Sequence, residues 1–206
     1  MSDYGTMQAR IARDLRRTTI ADDIKNAILD AIKVEEIRHY WFNEGRTSAT
    51  TIADNPYLSV PTNFLHPIHL EYYDSNAWVP IQDEAYTQIV YDDPGPIWTG
   101  RPQAYSMFAS QVRLMPTPDA AYPVKMHFVK QLPTLTSDSD SNSWMTEAEI
   151  LIRQTAKAIV CEDIIKGSAA EKEAPRYRTL AGYARDKLDF ETLQRRRSGR
   201  LRPNRW

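Results

Sequence analysis

Arginine is concentrated at the carboxyl-terminal end of the chain, where guanidinium groups could bind carboxylates or phosphates. Residues 195–206 read RRRSGRLRPNRW and contain six Arg and no acidic residue. Such charges cannot be buried without partners, and a terminal block of this kind is typical of an interaction arm. The same segment contains two large apolar residues that could fill pockets on a partner. We therefore predict an extended docking arm consisting of Arg195, Arg196, Arg197, Arg200, Leu201, Arg202, Arg205 and Trp206.

Two kinds of partner are open for this arm, namely the phosphates of nucleic acid and the acidic surface of a protein. A purely electrostatic contact with DNA does not require Leu201 and Trp206, so we favour a protein. The whole chain has a net charge of −1, and it has −7 without residues 195–206. An acidic neighbouring copy of the same chain is therefore a further possible partner.

Oxygen-bearing side chains in the segment 138–149 invite comparison with a calcium loop. Asp138, Asp140, Asn142 and Glu149 match positions 1, 3, 5 and 12 of an EF-hand. Ser143, however, stands where that loop needs Gly for a sharp turn. We interpret the segment as a solvated linker.

The four histidines have no metal-site spacing either. His66 and His69 would point to opposite faces of a strand, and His39 and His127 lie in other elements. We predict no bound metal and no cofactor.

Motifs for catalysis are also missing from the sequence. There is no strand–turn–helix nucleophile elbow and no Gly-rich phosphate loop, and the lone Cys161 lies in an apolar helical stretch typical of a buried thiol. We predict that the chain is not an enzyme.

The composition is that of a soluble globular protein, and no apolar run reaches the about 20 residues of a membrane span. The sequence also contains no signal peptide, which indicates synthesis in the cytoplasm.

Helical periodicity occurs towards both ends of the chain. Met7, Ile11 and Leu15 predict a helix over 6–16, and an apolar stripe predicts a second over 20–43, ended by Gly45. After the linker, Thr146 and Glu149 have the spacing of a capping box.

A last helix is predicted to begin between Ala169 and Pro175 and to run past Leu193. Pro175 is compatible with a helix only in its first turn or at a kink. Its inward stripe is predicted to be Tyr177, Leu180, Tyr183, Ala184, Leu188 and Leu193.

The segment 46–132 has a different character, since it holds 10 of the 13 Pro residues and several short alternating runs. Alternation at 68–72, 79–81 and 89–91 predicts half-buried antiparallel strands. Two alternating runs around Pro116–Asp119 predict a β-hairpin over 111–130.

These patterns predict an α+β protein in which helices from both ends form a bundle and an antiparallel β-rich domain is inserted between them. The predicted boundaries are 1–45 for the N-terminal helices, 46–132 for the β-rich insertion, 133–194 for the C-terminal helices and 195–206 for the basic arm.

Three stretches together carry a family resemblance. QVRLMPTPDAAYPVKMHF (111–128) is followed by LPTLTSDSDSNSWMTEAEILI (132–152), and YLSVPTNFLHPIHLEY (57–72) precedes both. In this succession the chain resembles the head-to-tail adaptor (connector) proteins of tailed bacteriophages, over roughly residues 6–193.

The resemblance implies a structural protein of the virion neck that is assembled in the host cytoplasm. It implies a homo-oligomer, a dodecameric ring, that docks on the portal protein and extends the DNA channel without sequence-specific contact to DNA. Tail or nozzle proteins would attach to its far side, and residues 188–206 would reach the portal. The alternative is a nucleic-acid-binding module that acts through the Arg-rich tail, and a steep loss of affinity with salt would distinguish it.

Overall fold

Residues 3–95, 97–165 and 167–198 are described by a computed structural model, with the side chains of 168–171 and 197–198 outside that description. In chain order its helices and strands are α1 (Tyr4–Leu15), α2 (Ala21–Glu36), β1 (Glu44–Thr50), β2 (Tyr57–Ser59), β3 (Phe64–Tyr73), β4 (Trp78–Asp83), α3 (Tyr86–Asp92), β5 (Thr99–Gly100), β6 (Ala104–Phe108), β7 (Gln111–Met115), β8 (Thr117–Pro118), β9 (Pro123–Lys130), α4 (Ser143–Thr146), α5 (Glu149–Ile159) and α6 (Ser168–Ser198). The predicted α+β class is confirmed.

The chain divides into two units with separate apolar cores. The helical unit comprises Met1–Asn43 and Leu132–Trp206, and the β unit comprises Glu44–Gln131. In the helical unit, α5 packs against α1, α2 and α6.

Helix α1 follows directly from local sequence. The Asp3 carboxylate accepts a hydrogen bond from the Thr6 amide at 2.7 Å and so caps the helix start. Met7 and Ile11 are completely buried. Arg16 ends the helix in a left-handed conformation with φ of 52°. The predicted helix over 6–16 is confirmed.

Helix α2 ends at Glu36, so the predicted continuous helix to residue 43 is wrong. The chain instead turns and forms a short 3₁₀ helix over Trp41–Asn43. The Asn43 side chain holds this turn, because its Oδ1 accepts the Tyr40 amide at 2.9 Å and its Nδ2 donates to the Arg38 carbonyl at 2.8 Å. Gly45, predicted to end the helix, lies in β1.

The predicted capping box at Thr146 and Glu149 is also wrong. Asn142 caps the short helix α4 by accepting the Trp144 amide at 3.0 Å, and Ala148 occupies the N-cap of α5. Glu149 instead binds Arg10 of α1 at 3.1 Å. The Glu149 side chain, which the local spacing assigned to a helix cap, therefore forms a tertiary ion pair instead.

Helix α6 runs past Leu193 as predicted, and it begins at Ser168, one residue before the predicted start. Pro175 lies inside it, and the Pro175 carbonyl accepts the Thr179 hydroxyl at 3.0 Å. Gly167, with φ of 139°, precedes its first residue. The helix continues through 195–198, so the predicted extended arm is wrong for these four residues, and 199–206 lie outside the described residues.

The β unit is built on a curled seven-stranded sheet in the order β1-β9-β3-β4-β6-β7-β2. Its core includes Leu70, Leu114, Val124 and Met126. The pairing of β4 with β6 is parallel, as is that of the separate pair β5 and β8. The sheet is therefore mixed, and the prediction of a purely antiparallel arrangement is wrong.

Two local predictions in the β unit are wrong as well. The runs at 111–115 and 123–130 are strands, but they do not pair with each other. Strand β7 pairs with β6 and β2, while β9 pairs with β1 and β3. The run at 89–91 belongs to helix α3, in which Ile89 is buried and Tyr91 is exposed.

Candidate interaction site around the last helix

A buried ion-pair network joins α6 to the end of α2. The carboxylate of Glu35 is completely buried and binds the Arg185 guanidinium through both oxygens. The Tyr40 hydroxyl donates to the same carboxylate at 3.0 Å. Burial, together with the Glu35 charge, raises the pKa of Tyr40 well above its ordinary value. The hydrogen bond to Glu35 raises the pKa of Arg185, so the guanidinium stays charged.

The last turns of α6 lie along the turn that follows α2. Thr192 accepts the Trp41 amide at 3.3 Å and donates to the Leu188 carbonyl at 2.8 Å. The Arg195 guanidinium lies 3.6 Å from the centroid of the Trp41 ring, a cation–π geometry. Arg196 contacts the His39 ring. The end of α6 is thus fixed to its own chain.

The structure therefore places only part of the predicted docking arm. Arg195 and Arg196 lie together on the turn at 39–41, and Arg197 is helical. The remaining predicted arm residues lie outside the described residues: Arg200, Leu201, Arg202, Arg205 and Trp206.

A groove between α5 and α6 was not predicted from the sequence. Its volume is about 470 Å³, and its apolar lining includes Ile150, Leu180 and Tyr183. Leu180 and Tyr183 were expected to face the core, but they are exposed, as is Leu193. The available signal was that the large apolar residues of α6 do not all fall on one face of the helix.

The segment that resembles a calcium loop is held by the protein's own hydrogen bonds. The Asp140 carboxylate accepts the backbone amides of Thr136 and Ser137 at 2.7 Å each, which lowers its pKa. Asp138 binds Lys25 at 3.5 Å. These side chains fix the linker to itself and to α2.

His127 lies in a different strand from His69, as predicted, and is its cross-strand partner. Their ring centroids are 6.4 Å apart. Within the described ranges, no three His, Cys, Asp or Glu side chains are placed to hold a metal ion.

One family model covers both these helices and the β unit. The model of the SU10 adaptor protein matches residues 2–205. The chain belongs to the SU10 adaptor protein family. The resemblance to phage head-to-tail adaptors is thereby confirmed. None of the curated proteins matches the chain.

Membership in the SU10 adaptor protein family gives the chain the role of a structural bacteriophage adaptor. In the part of the chain that the structure describes, no helix is both long and apolar enough to cross a membrane.

Proposed function

We propose that this SU10-family adaptor forms a ring, of twelve copies, that docks on the portal protein and extends the DNA channel. The far side of the ring is the platform for tail or nozzle proteins, and DNA passes through without sequence-specific contact. The protein is then part of the virion neck and is assembled in the host cytoplasm. The observation that carries this proposal is the family match over residues 2–205.

Exposed apolar side chains on the helical unit support assembly with other subunits. Val34, Ile37, Tyr183, Phe190 and Leu193 are each about half exposed or more. Where such side chains form a contiguous patch, they are typical of protein–protein contacts.

The basic segment beyond α6 is proposed to dock on the portal or on a neighbouring copy. If extended, residues 199–206 span roughly 26 Å, enough to reach another subunit. Arg200, Arg202 and Arg205 can each form a forked pair with a carboxylate, while Leu201 and Trp206 fill apolar pockets. Arg195 and Arg196 contribute by holding the end of α6 against the turn at 39–41.

Co-sedimentation of the purified chain with portal particles, followed by electron microscopy, tests the proposal. We expect a ring bound at one end of the portal. A chain that remains monomeric at every concentration, with and without portal, would rule the ring out.

Variants of the basic segment distinguish its partners. Leu201→Ala together with Trp206→Ala weakens docking on a protein pocket but leaves contacts to phosphate unchanged. Replacing Arg200, Arg202 and Arg205 by Ala weakens both. If the apolar double variant binds the portal normally and the Arg variant loses retention on DNA, the nucleic-acid-binding alternative is correct.

A further inference from the structure

Three basic side chains lie in one row across the sheet of the β unit. Arg46 of β1 is directly opposite His127 of β9, and His127 is directly opposite His69 of β3. Side chains of directly opposed residues in antiparallel strands are neighbours on the same face, with Cβ atoms about 5 Å apart. The two imidazole rings have centroids 6.4 Å apart. We call Arg46, His127 and His69 the basic row.

The basic row lies on the face of the sheet that is turned away from the core. Val124 and Met126, on the opposite face of β9, are completely buried. Since side chains alternate between the two faces along a strand, His127 points away from that core. Arg46 and His69 are exposed, and His127 is half-buried. A ligand in solution can therefore reach all three side chains.

The basic row lacks acceptors, in contrast to the neighbouring row on the same strands. In that row, Lys125 of β9 is opposite Glu71 of β3, with 3.6 Å between Nζ and Oε1. Opposite charges that face each other stabilise a strand pair, whereas like charges directly opposite destabilise it. Within the part of the chain that the structure describes, no member of the basic row forms a hydrogen bond or an ion pair.

The nearest carboxylates on this face are not opposed to the basic row. The Glu71 carboxylate is bound by Lys125. Glu44 is opposite Val129, and it lies two residues from Arg46 along β1, a distance of roughly 7 Å. An acceptor for the three basic side chains therefore has to come from a ligand.

The chemistry of the row selects the ligand. A guanidinium is a permanently charged, forked donor, and each imidazole can donate through a ring N–H. Hydrogen bonds from such groups to phosphate are charge-assisted and stronger than neutral ones. A carboxylate has two oxygens in one plane, whereas a phosphate group has four around a tetrahedral centre and can accept from side chains of three strands at once.

We infer that Arg46, His127 and His69 form a binding site for a phosphate group on the outer face of the β sheet. The group is inorganic phosphate or a phosphodiester of DNA, which present the same oxygens to the row. Because contacts to phosphate carry no sequence information, binding of DNA here is independent of its sequence.

A titration followed by NMR tests the site on the purified full chain. The imidazole signals are assigned with single His-to-Ala variants, and sodium phosphate is added at constant pH and ionic strength. We expect saturable shifts of the His69 and His127 signals and little change for His66, which is opposite Val129 outside the row. Sodium acetate, a carboxylate, is the control anion and is expected to give no saturable shift.

Arg46→Ala should weaken phosphate binding roughly 10-fold, because it removes a charge-assisted hydrogen bond. The matched control is Arg101→Ala, which removes the same charge elsewhere on the β unit, where Arg101 pairs with Asp74 at 3.6 Å. We expect the control to bind phosphate as the wild type does. An unchanged His66 signal shows that each variant is folded.

A fluorescently labelled DNA duplex identifies the source of the phosphate. Arg200, Arg202 and Arg205 are replaced by Ala in this assay, so that the basic segment does not contribute. If the row binds DNA, Arg46→Ala lowers the affinity roughly 10-fold. The affinity also rises as pH falls from about 8 to 6, because imidazoles gain charge in this range. This rise is lost when both histidines of the row are replaced by Ala.

An effect of Arg46→Ala on the phosphate titration alone assigns the site to free phosphate, and an effect on DNA binding assigns it to the phosphodiester. Acetate shifts equal to those with phosphate, or no effect of Arg46→Ala on either ligand, would overturn the inference. The site is independent of the proposed ring, so these results leave the proposed function unaffected.

Discussion

Arg185 and Glu35, which are 150 residues apart in the chain, form a bidentate ion pair that fastens α6 to the end of α2. The Glu35 carboxylate has no exposed surface. A charge this deeply buried is tolerated only when its partners supply hydrogen bonds, which Arg185 and Tyr40 do.

Arg185→Ala is therefore expected to lower the free energy of unfolding by about 3–5 kcal/mol, since it leaves the Glu35 charge buried without its principal partner. Urea denaturation measures the change. Lys187→Ala, two residues away on the exposed side of α6, is the control and should change stability by less than about 0.5 kcal/mol. Equal effects of the two substitutions would contradict a structural role for the pair.

Gly45→Ala should destabilise the β unit. A Cβ at position 45 would lie 2.8 Å from the Phe128 ring, and Phe128 is itself part of the packed core. Overpacking of this kind typically costs about 1–3 kcal/mol. Chemical denaturation of the variant should show the loss, and unchanged stability would mean that the ring can move aside.

Gly182→Ala should have the opposite effect. Gly182 lies inside α6, and a Cβ there would meet nothing within 4 Å. Replacing a helical Gly by Ala removes backbone freedom from the unfolded chain, which stabilises by about 0.5–1 kcal/mol. The same denaturation assay tests both glycines, and a destabilised Gly182→Ala variant would show that position 182 makes a close contact.

Asp14 should make stability depend on pH in the acidic range. Burial raises the pKa of its carboxyl, but the hydrogen bond and charge of Lys157, with Nζ at 2.5 Å, outweigh burial and lower the pKa below the ordinary value. The ion pair therefore stabilises the fold above about pH 4, the unfolded pKa, and this contribution is lost as pH falls through the folded pKa.

Asp14→Asn removes that contribution, so the variant should be clearly less stable than wild type at pH 7 and nearly equal to it near pH 2. Denaturation curves at the two pH values provide the measurement. A stability difference of the same size at both pH values would show that Asp14 acts through packing rather than through its charge.

Local periodicity predicted which face of a strand is buried but not which strands are neighbours. Val112, Leu114, Val124 and Met126 are buried as their alternation indicated. Alternation contains no information on pairing, however. Strand β7 is joined to β6 by a tight turn in which Ala109 has φ of 52°, and this turn, rather than the prolines after β7, makes the hairpin.

The candidate site was predictable only in its components. The sequence indicated that Arg195 belongs to a basic terminus, but its cation–π contact with Trp41 depends on how α6 packs. Likewise, Glu149 had the spacing of a cap, and only the packing of α1 against α5 gives it Arg10 as a partner. Contacts between residues far apart in sequence are not encoded in spacing.

The chain leaves the helical unit at Asn43 and returns to it at Leu132, and the strands that begin and end the β unit are neighbours. Glu44 of β1 pairs with Val129 of β9 in an antiparallel ladder, so these ends lie roughly 5 Å apart. The β unit is consequently an insertion whose first and last residues lie next to each other. A short linker between residues 43 and 132 could replace it, and a foreign domain with neighbouring termini could be grafted there without stretching the helical unit.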